Sequence, residues 1–324
     1  MREIRRALVT GGAGFLGTRL CERLLDDGAE VLCVDNLSTS APGGATVLHG
    51  RDGYRFVRHD ISDPSTALPR GPAPDTVFHL ASPASPLDYL RLPVQTLRAG
   101  AIGTANALDL AERSNARLVL ASTSEVYGDP LEHPQAETYW GNVNPVGPRS
   151  VYDEAKRFAE ALTFAYRRGR SADVGVARIF NTYGPRMRSD DGRVVPTFCR
   201  QALNREPITV NGTGMQTRSL CYVDDTVDGL IRLALSDCPG PVNIGNPDEL
   251  TVLEIAELIR DLADSTSPIE HRPAMEDDPQ RRCPDIGRAR EQLGWHPTVP
   301  YRDGLARTLD WFRRQGRTEC ESSA

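Results

Sequence analysis

Lysine is almost absent from this sequence. Of 38 basic side chains one is a lysine, Lys156, and the other 37 are arginines. A GC-rich genome favours arginine codons in this way, and against that background the one position with a compact ammonium and an adjustable pKa stands out. Paired metal-ligand motifs are also missing. The seven cysteines are odd in number, scattered, and never spaced CxxC, and the six histidines show no HxxxH. Neither a disulfide framework nor a metal site is expected, and the cysteine usage points to a reducing compartment. No stretch approaches the roughly 20 apolar residues that span a bilayer. A strand beginning at Arg5–Arg6 leaves no room for a signal peptide, so a cytoplasmic protein is expected. Excess positive charge is lacking too: the net charge of −6 argues against binding nucleic acid, which needs a basic face.

What is present is ordinary for a soluble globular protein: 324 residues, 39% hydrophobic and 25% charged. That length suits two domains, or one with a lobe. Apolar runs at Arg6–Thr10, Glu30–Asp35, Tyr54–Arg58, Thr76–Ala81, Arg117–Ser122 and Val174–Phe180 alternate with helical stretches near 15–27, 94–113 and 151–168. That alternation predicts an α/β fold, a Rossmann-type doubly wound parallel sheet over residues 1–182. Beyond it, short strands (Ile208–Val210, Ser219–Tyr222, Val242–Ile244) mix with helices near 196–204, 224–236, 251–263 and 303–315. Residues 183–324 therefore read as a smaller mixed α/β substrate lobe, with part of the chain free to return to the first domain.

The first strand runs into Gly11, Gly14, Phe15, Leu16 and Gly17, a GxxGxxG spacing that opens a helix. Such glycines permit a tight turn and close approach of a pyrophosphate to a helix N-terminus. Alone, the triplet reads equally well as a structural turn. The next strand, however, ends at Asp35, suited to ribose hydroxyls, and no arginine follows within Asn36, Leu37, Ser38 and Thr39. NAD is therefore expected over NADP. A third strand ends at Asp60–Ile61, where an acidic side chain suits an adenine amino group or simply faces water.

Tyr152 and Lys156 lie four apart in a helical stretch, hence on one face. A neighbouring ammonium lowers a phenol's pKa and makes it a base. A second constellation, Ser122-Thr123-Ser124-Glu125, starts at the C-terminal end of a strand, where open α/β sheets place ligands. Thr123 there is a partner for the substrate hydroxyl, and Glu125 an acid–base group or sugar ligand. Turn capping is the competing reading of the Ser/Thr run. Arg178, Arg186, Arg188, Arg193, Arg218, Arg281 and Arg282 lie in or near loops, where several converging on a cleft suit a diphosphate and a carboxylate.

With these motifs the chain resembles the extended short-chain dehydrogenase/reductase family over nearly its whole length. The most specific segments are His79–Pro86, Ala121–Pro134, Tyr139–Pro145, Arg178–Arg186, Gln216–Arg218 and Arg281–Ile286. The resemblance implies NAD-dependent decarboxylation of UDP-glucuronate to UDP-xylose, by a homodimer with a four-helix interface built from the helices near 94–113 and 151–168. It implies catalytic roles for Thr123, Ser124, Glu125, Tyr152, Lys156 and Arg282. It implies NAD contacts at the glycines and Asp35, Asn36, Ser38, Thr39, Asp60, Ile61, Leu80, Ala81, Ser82, Thr182 and Arg188. Substrate contacts are implied at Pro83, Arg98, Glu125, Asn181, Arg193, Arg218, Tyr222 and Arg282. A nucleotide-sugar 4-epimerase, a 4,6-dehydratase and a non-catalytic NAD-sensing regulator are the alternatives. Two departures from the family pattern stand out: Arg98-Ala99-Gly100 replaces the usual Lys-Thr-Asn, and Ala155 replaces the usual Gly before the lysine.

Overall fold

The computed structural model describes residues 2–41, 43–63, 72–274 and 280–322, with side chains through 316. Strands run in chain order as β1 (Arg6–Thr10), β2 (Glu30–Asp35), β3 (Tyr54–Arg58), β4 (Thr76–His79), β5 (Arg117–Thr123), β6 (Val174–Ile179), β7 (Thr182–Tyr183), β8 (Ile208–Asn211), β9 (Thr217–Arg218), β10 (Cys221–Tyr222), β11 (Val242–Ile244), β12 (Leu250–Thr251) and β13 (Ile269–Arg272). Helices are α1 (Phe15–Asp26), α2 (Pro86–Arg91), α3 (Pro93–Arg98), α4 (Thr104–Ser114), α5 (Ser150–Arg170), α6 (Val194–Asn204), α7 (Val223–Leu235), α8 (Val252–Leu262), α9 (Gly287–Leu293) and α10 (Tyr301–Ser322).

Seven strands form one parallel sheet in the order β11-β6-β5-β4-β1-β2-β3. All seven residues of β5 are buried. That is why it reads as a continuous apolar run: helices cover both faces of a parallel sheet. The order reverses between β1 and β4, which places a ligand crevice at the carboxyl ends of those strands. His79 closes β4 there. Its ring lies 2.7 Å from Thr10 Oγ1 and 3.2 Å from Thr104 Oγ1, tying the ends of β1 and β4 to α4. Burial drives its pKa down to about 3, so it is a neutral strut.

Several expected elements differ. The helix expected near 94–113 runs without a break from α3 to α4, but it carries a π-helical turn, Ala99–Gly103, where the two meet. Gly100 is pressed onto α5 at that turn. A Cβ there would lie 2.7 Å from both Ala155 Cβ and Ala155 O. The two departures from the family pattern are thus reciprocal, since Ala155 fits where residue 100 has no side chain. Of the expected strand Ser219–Tyr222 only Cys221–Tyr222 forms one, β10, parallel to β7, while the preceding β9 pairs antiparallel with β12. Val242–Ile244 is not in the lobe but forms the edge of the large sheet beside β6. No helix among the described residues is long and apolar enough to cross a membrane.

Candidate active site

A cleft of about 470 Å³ opens along the carboxyl ends of the sheet strands. One end is the glycine turn. Gly11 has φ +71°, and a Cβ on it would lie 2.8 Å from Ala81 N, so a side chain is excluded sterically as well as conformationally. Gly17 is tighter still, because a Cβ there would run into Gly11 O. Gly14 caps α1 without any side-chain hydrogen bond, so the first-turn N–H groups remain available to an anion. Asp35 accepts hydrogen bonds from Ala13 N (3.0 Å), Leu37 N (2.8 Å) and Ser40 Oγ (3.2 Å). A carboxylate has about four acceptor positions, so this fixes its orientation and leaves capacity for a ribose hydroxyl. Asp60 accepts from Ser62 and Asn36, bonds that outweigh burial and lower its pKa. This donor set fits a dinucleotide with a free 2′-hydroxyl.

The centre of the cleft is built by β5 and α5. Thr123 ends β5 and accepts a hydrogen bond from Glu125 N (3.3 Å). Tyr152 and Lys156 share one face of α5. Lys156 is buried, donates to Ala121 O (2.8 Å), and its Nζ lies 5.8 Å from the Tyr152 ring centre. Burial brings the Lys156 pKa down to about 8, against the opposing pull of Glu160 one turn on. The Tyr152 hydroxyl moves contrary to the sequence-based expectation. Burial and the Glu125 carboxylate raise its pKa in the unliganded protein, and the Thr123 hydrogen bond only partly offsets them. The lysine does not dominate, because it turns its ammonium to the Ala121 carbonyl. Tyr89 stacks on Tyr152 at 5.3 Å and 8°, setting the ring plane.

Glu125 is not a free acid–base group. Arg282 grips it through both guanidinium nitrogens, and Arg149 NH2 donates to it from 2.8 Å. Against the cost of burial, the two arginines hold its pKa at about 2. Glu125 and Arg282 are therefore one ion-paired unit on one side of the cleft, not groups flanking a substrate bond. The cluster of two arginines and one glutamate carries a formal charge of +1.

Asp153, next to Tyr152, lies against this cluster. It is buried, and its Oδ1 has no hydrogen-bond partner. Burial, and then the Glu125 charge, raise its pKa from 3.8 to about 7. The folded state thus keeps a proton that the unfolded chain releases, and the resulting stability is full below about pH 4 and lost as pH rises through about 7. Asp153→Asn, fixed in the neutral form, should match the parent near pH 4 and exceed it by on the order of 2 kcal/mol near pH 8. The same difference in Tm at both pH values would contradict this reading.

Most of the residues singled out in the sequence line this one cleft: Gly11, Gly14, Phe15, Leu16, Gly17, Asp35, Asn36, Ser38, Thr39, Asp60, Ile61, Leu80, Ala81, Ser82, Pro83, Thr123, Glu125, Tyr152, Lys156, Asn181, Thr182, Arg188, Arg193, Arg218 and Arg282. Three do not. Arg98 lies exposed at the end of α3 and does not line the cleft, so it is not placed to hold a substrate carboxylate. Tyr222 is buried edge-on against Tyr183, under the Arg307 guanidinium. Ser124 is buried in the turn after Thr123. Two arginines are likewise elsewhere. Arg178 is locked bidentately onto Glu160, and Arg281 is an exposed neighbour of Glu249. Sequence reasoning missed Arg149, Asp153 and Tyr89. Arg149 precedes Tyr152 by three, one helical turn, which is a usable signal; nothing local marks Tyr89.

A glycine-cradled dinucleotide crevice with a Tyr–Lys helix beside it defines a nucleotide-dependent oxidoreductase-type fold. The family model described as "NAD dependent epimerase/dehydratase family" matches residues 7–245, and the chain belongs to that family. Its curated relatives place it among the UDP-glucuronic acid decarboxylases. UDP-glucuronic acid decarboxylase 1 of Arabidopsis thaliana is 49% identical over 320 residues, 99% of this chain and 72% of the relative. UDP-glucuronic acid decarboxylase 1 of Danio rerio is 49% identical over 314 residues, 97% of this chain and 74% of the relative. Among solved structures, UDP-glucuronic acid 4-epimerase from Bacillus cereus, in complex with UDP-4-deoxy-4-fluoro-glucuronic acid and NAD, superposes with a TM-score of 0.85 at 25% identity, covering 96% of this chain and 99% of that one. UDP-glucose 4-epimerase from Thermotoga maritima gives 0.86 at 27% identity, covering 96% and 99%.

Proposed function

We propose that this chain converts UDP-glucuronate to UDP-xylose and CO₂ by oxidation at C4, decarboxylation and re-reduction, with NAD retained through the cycle. One observation carries the reading. A Thr123–Tyr152–Lys156 oxidation centre and a cationic Arg149–Glu125–Arg282 cluster share one cleft, so a sugar hydroxyl and a carboxylate can be engaged at once.

NAD, which the glycine turn, Asp35 and Lys156 would hold, would supply the hydride acceptor for C4 and the donor for the closing re-reduction. The protein's residues manage protons and charge. Tyr152 takes the proton of the 4-hydroxyl, and Thr123 holds the same oxygen. Lys156, desolvated, holds its charge 5.8 Å from the Tyr152 ring, where a low dielectric lets it favour the phenolate that burial and Glu125 oppose. The ketone at C4 leaves the C6 carboxylate β to a carbonyl. The C5–C6 bond then breaks, its electrons pass to the C4 oxygen as an enolate, and CO₂ departs. Tyr152, now protonated, and Thr123 hydrogen-bond that oxygen. C5 takes a proton from solvent water as the enolate returns to the ketone, and Tyr152 gives its proton back to the C4 oxygen in the closing reduction. The cluster of net charge +1 holds the carboxylate in place, while Arg193 and Arg218 on the lobe side of the cleft suit the diphosphate. Carboxyl-labelled UDP-glucuronate incubated with the protein and NAD tests the reading: labelled CO₂ is expected, and none is released if the sugar is only epimerised.

Cofactor choice follows from Asp35. A 2′-phosphate would meet a carboxylate, and Arg188 at the same corner is occupied by Asp88 and Asp190, both at 3.1 Å. NADP should therefore bind at least roughly tenfold more weakly than NAD. Equal dissociation constants in a titration would refute the role given to Asp35.

We further propose a cytoplasmic homodimer joined through α3 to α5. Val94, Leu97 and Phe158 expose apolar surface on these helices, and the cysteines with described side chains are free thiols, in keeping with a reducing compartment. Light scattering at a mass near 35.5 kDa, that of one chain, would contradict the dimer.

A further inference from the structure

Three segments far apart in sequence bring a nitrogen, an oxygen and a sulfur ligand together outside the catalytic cleft. His133 lies in the loop beyond β5, Glu249 just before β12, and Cys283 in the strap leading to α9. Their ligand atoms all lie within 4.8 Å of one another. We propose that His133, Glu249 and Cys283 form a binding site for a borderline-soft divalent cation, zinc, at the seam where these segments meet.

Geometry and chemistry both support it. His133 Nε2 is 3.0 Å from Glu249 Oε2, close to the spacing of two ligands on one tetrahedral ion. The Cys283 thiol donates to the Pro247 carbonyl at 3.1 Å; an ion would displace that proton, and the same carbonyl, or water, is a candidate for the fourth position. The frame is stiff. Gln135, fully buried, donates its backbone N–H to Cys283 O (2.8 Å) and accepts from Cys283 N through Oε1 (2.8 Å). This stitches the His133 loop to the cysteine strap. Thr217 Oγ1 donates to Glu249 Oε1 at 2.5 Å, orienting the carboxylate as outer-shell partners do. A thiolate and a carboxylate balance a divalent charge, and the sulfur selects zinc over the oxygen-loving magnesium and calcium. His133 is partly exposed, which gives the ion a path in. The bound ion would also fix the strap from which the neighbouring Arg282 reaches Glu125.

The competing reading is a plain ion pair of His133 with Glu249, helped by Arg281 at 3.7 Å. Cobalt, then zinc, titrated into the full chain after chelator treatment separates the two. One equivalent of Co²⁺ should produce a thiolate-to-metal charge-transfer band that Zn²⁺ abolishes by displacement. Zinc at a hundredfold excess over its dissociation constant should raise Tm by roughly 5 °C, and Mg²⁺ should not. Cys283→Ser should lose the band and weaken zinc binding by more than the roughly tenfold typical of an outer-shell loss. Cys238→Ser, away from the site, should keep both. His133→Gln, at the exposed side, should also weaken zinc binding, and it decides the matter if Cys283→Ser does not fold. Absence of the band in the parent protein, its survival in Cys283→Ser, or unchanged zinc affinity in His133→Gln would overturn the site.

Discussion

Tyr152→Phe should lower turnover by roughly 10³-fold, the usual scale for loss of a positioned acid–base group. The fold should be unaffected, because the ring keeps its stacking on Tyr89 and only the hydroxyl at Thr123 is lost. NAD binding should be retained, and no hydride should leave the sugar in a single turnover. Lys156→Arg is the sharper companion. The lysine is buried against the Ala121 carbonyl with a pKa near 8. A guanidinium is larger, planar and permanently charged, so it matches neither the space nor the adjustable proton. A loss on the order of a hundredfold is expected, read as kcat with NAD affinity measured alongside. Near-normal turnover would mean that the one lysine of the chain survives there by chance.

Glu125→Gln and Arg282→Met should separate decarboxylation from oxidation. Each breaks a buried, bidentate ion pair and leaves its partner short of a counter-charge. The cationic cluster then holds the substrate carboxylate in the wrong place, while Tyr152, Thr123 and Lys156 keep their side chains and Glu125→Gln relieves the charge that raises the Tyr152 pKa. Loss of a charge-stabilising contact of this kind costs about 3–4 kcal/mol, so CO₂ release should slow by on the order of a hundredfold or more. Hydride transfer should slow far less. Nicotinamide absorbance should therefore grow and persist in a single turnover. Rapid CO₂ release in both variants would remove Glu125 and Arg282 from the decarboxylation step.

The sheet and the glycine-lined crevice were legible because both are local. Period and length give β1, β2 and β3 to the residue, and the glycines and Asp35 belong to one strand–turn–helix–strand unit. Tyr152 and Lys156 were legible for the same reason, being one helical turn apart. What failed was non-local. Arg98 was placed by position in a motif, but the helix passes there into a π turn where Gly100 packs closely on Ala155, and the side chain lies outside the cleft. Tyr222 carries no local sign that Tyr183 and Arg307 enclose it. The state of Glu125 depends on Arg149, 24 residues away, and Arg282, 157 away, so its low pKa cannot be read from Ser-Glu-Val. The lobe strand at 242–244 has a pattern that fits either domain, and its pairing with β6 decides.

The most direct test is the mass of the product formed from UDP-glucuronate and NAD in deuterated water. A nucleotide pentose is expected, short of the substrate by CO₂ and carrying one deuterium at C5, with no net NADH left at completion. A product of the substrate's own mass, with its carboxylate intact, would contradict the decarboxylation cycle.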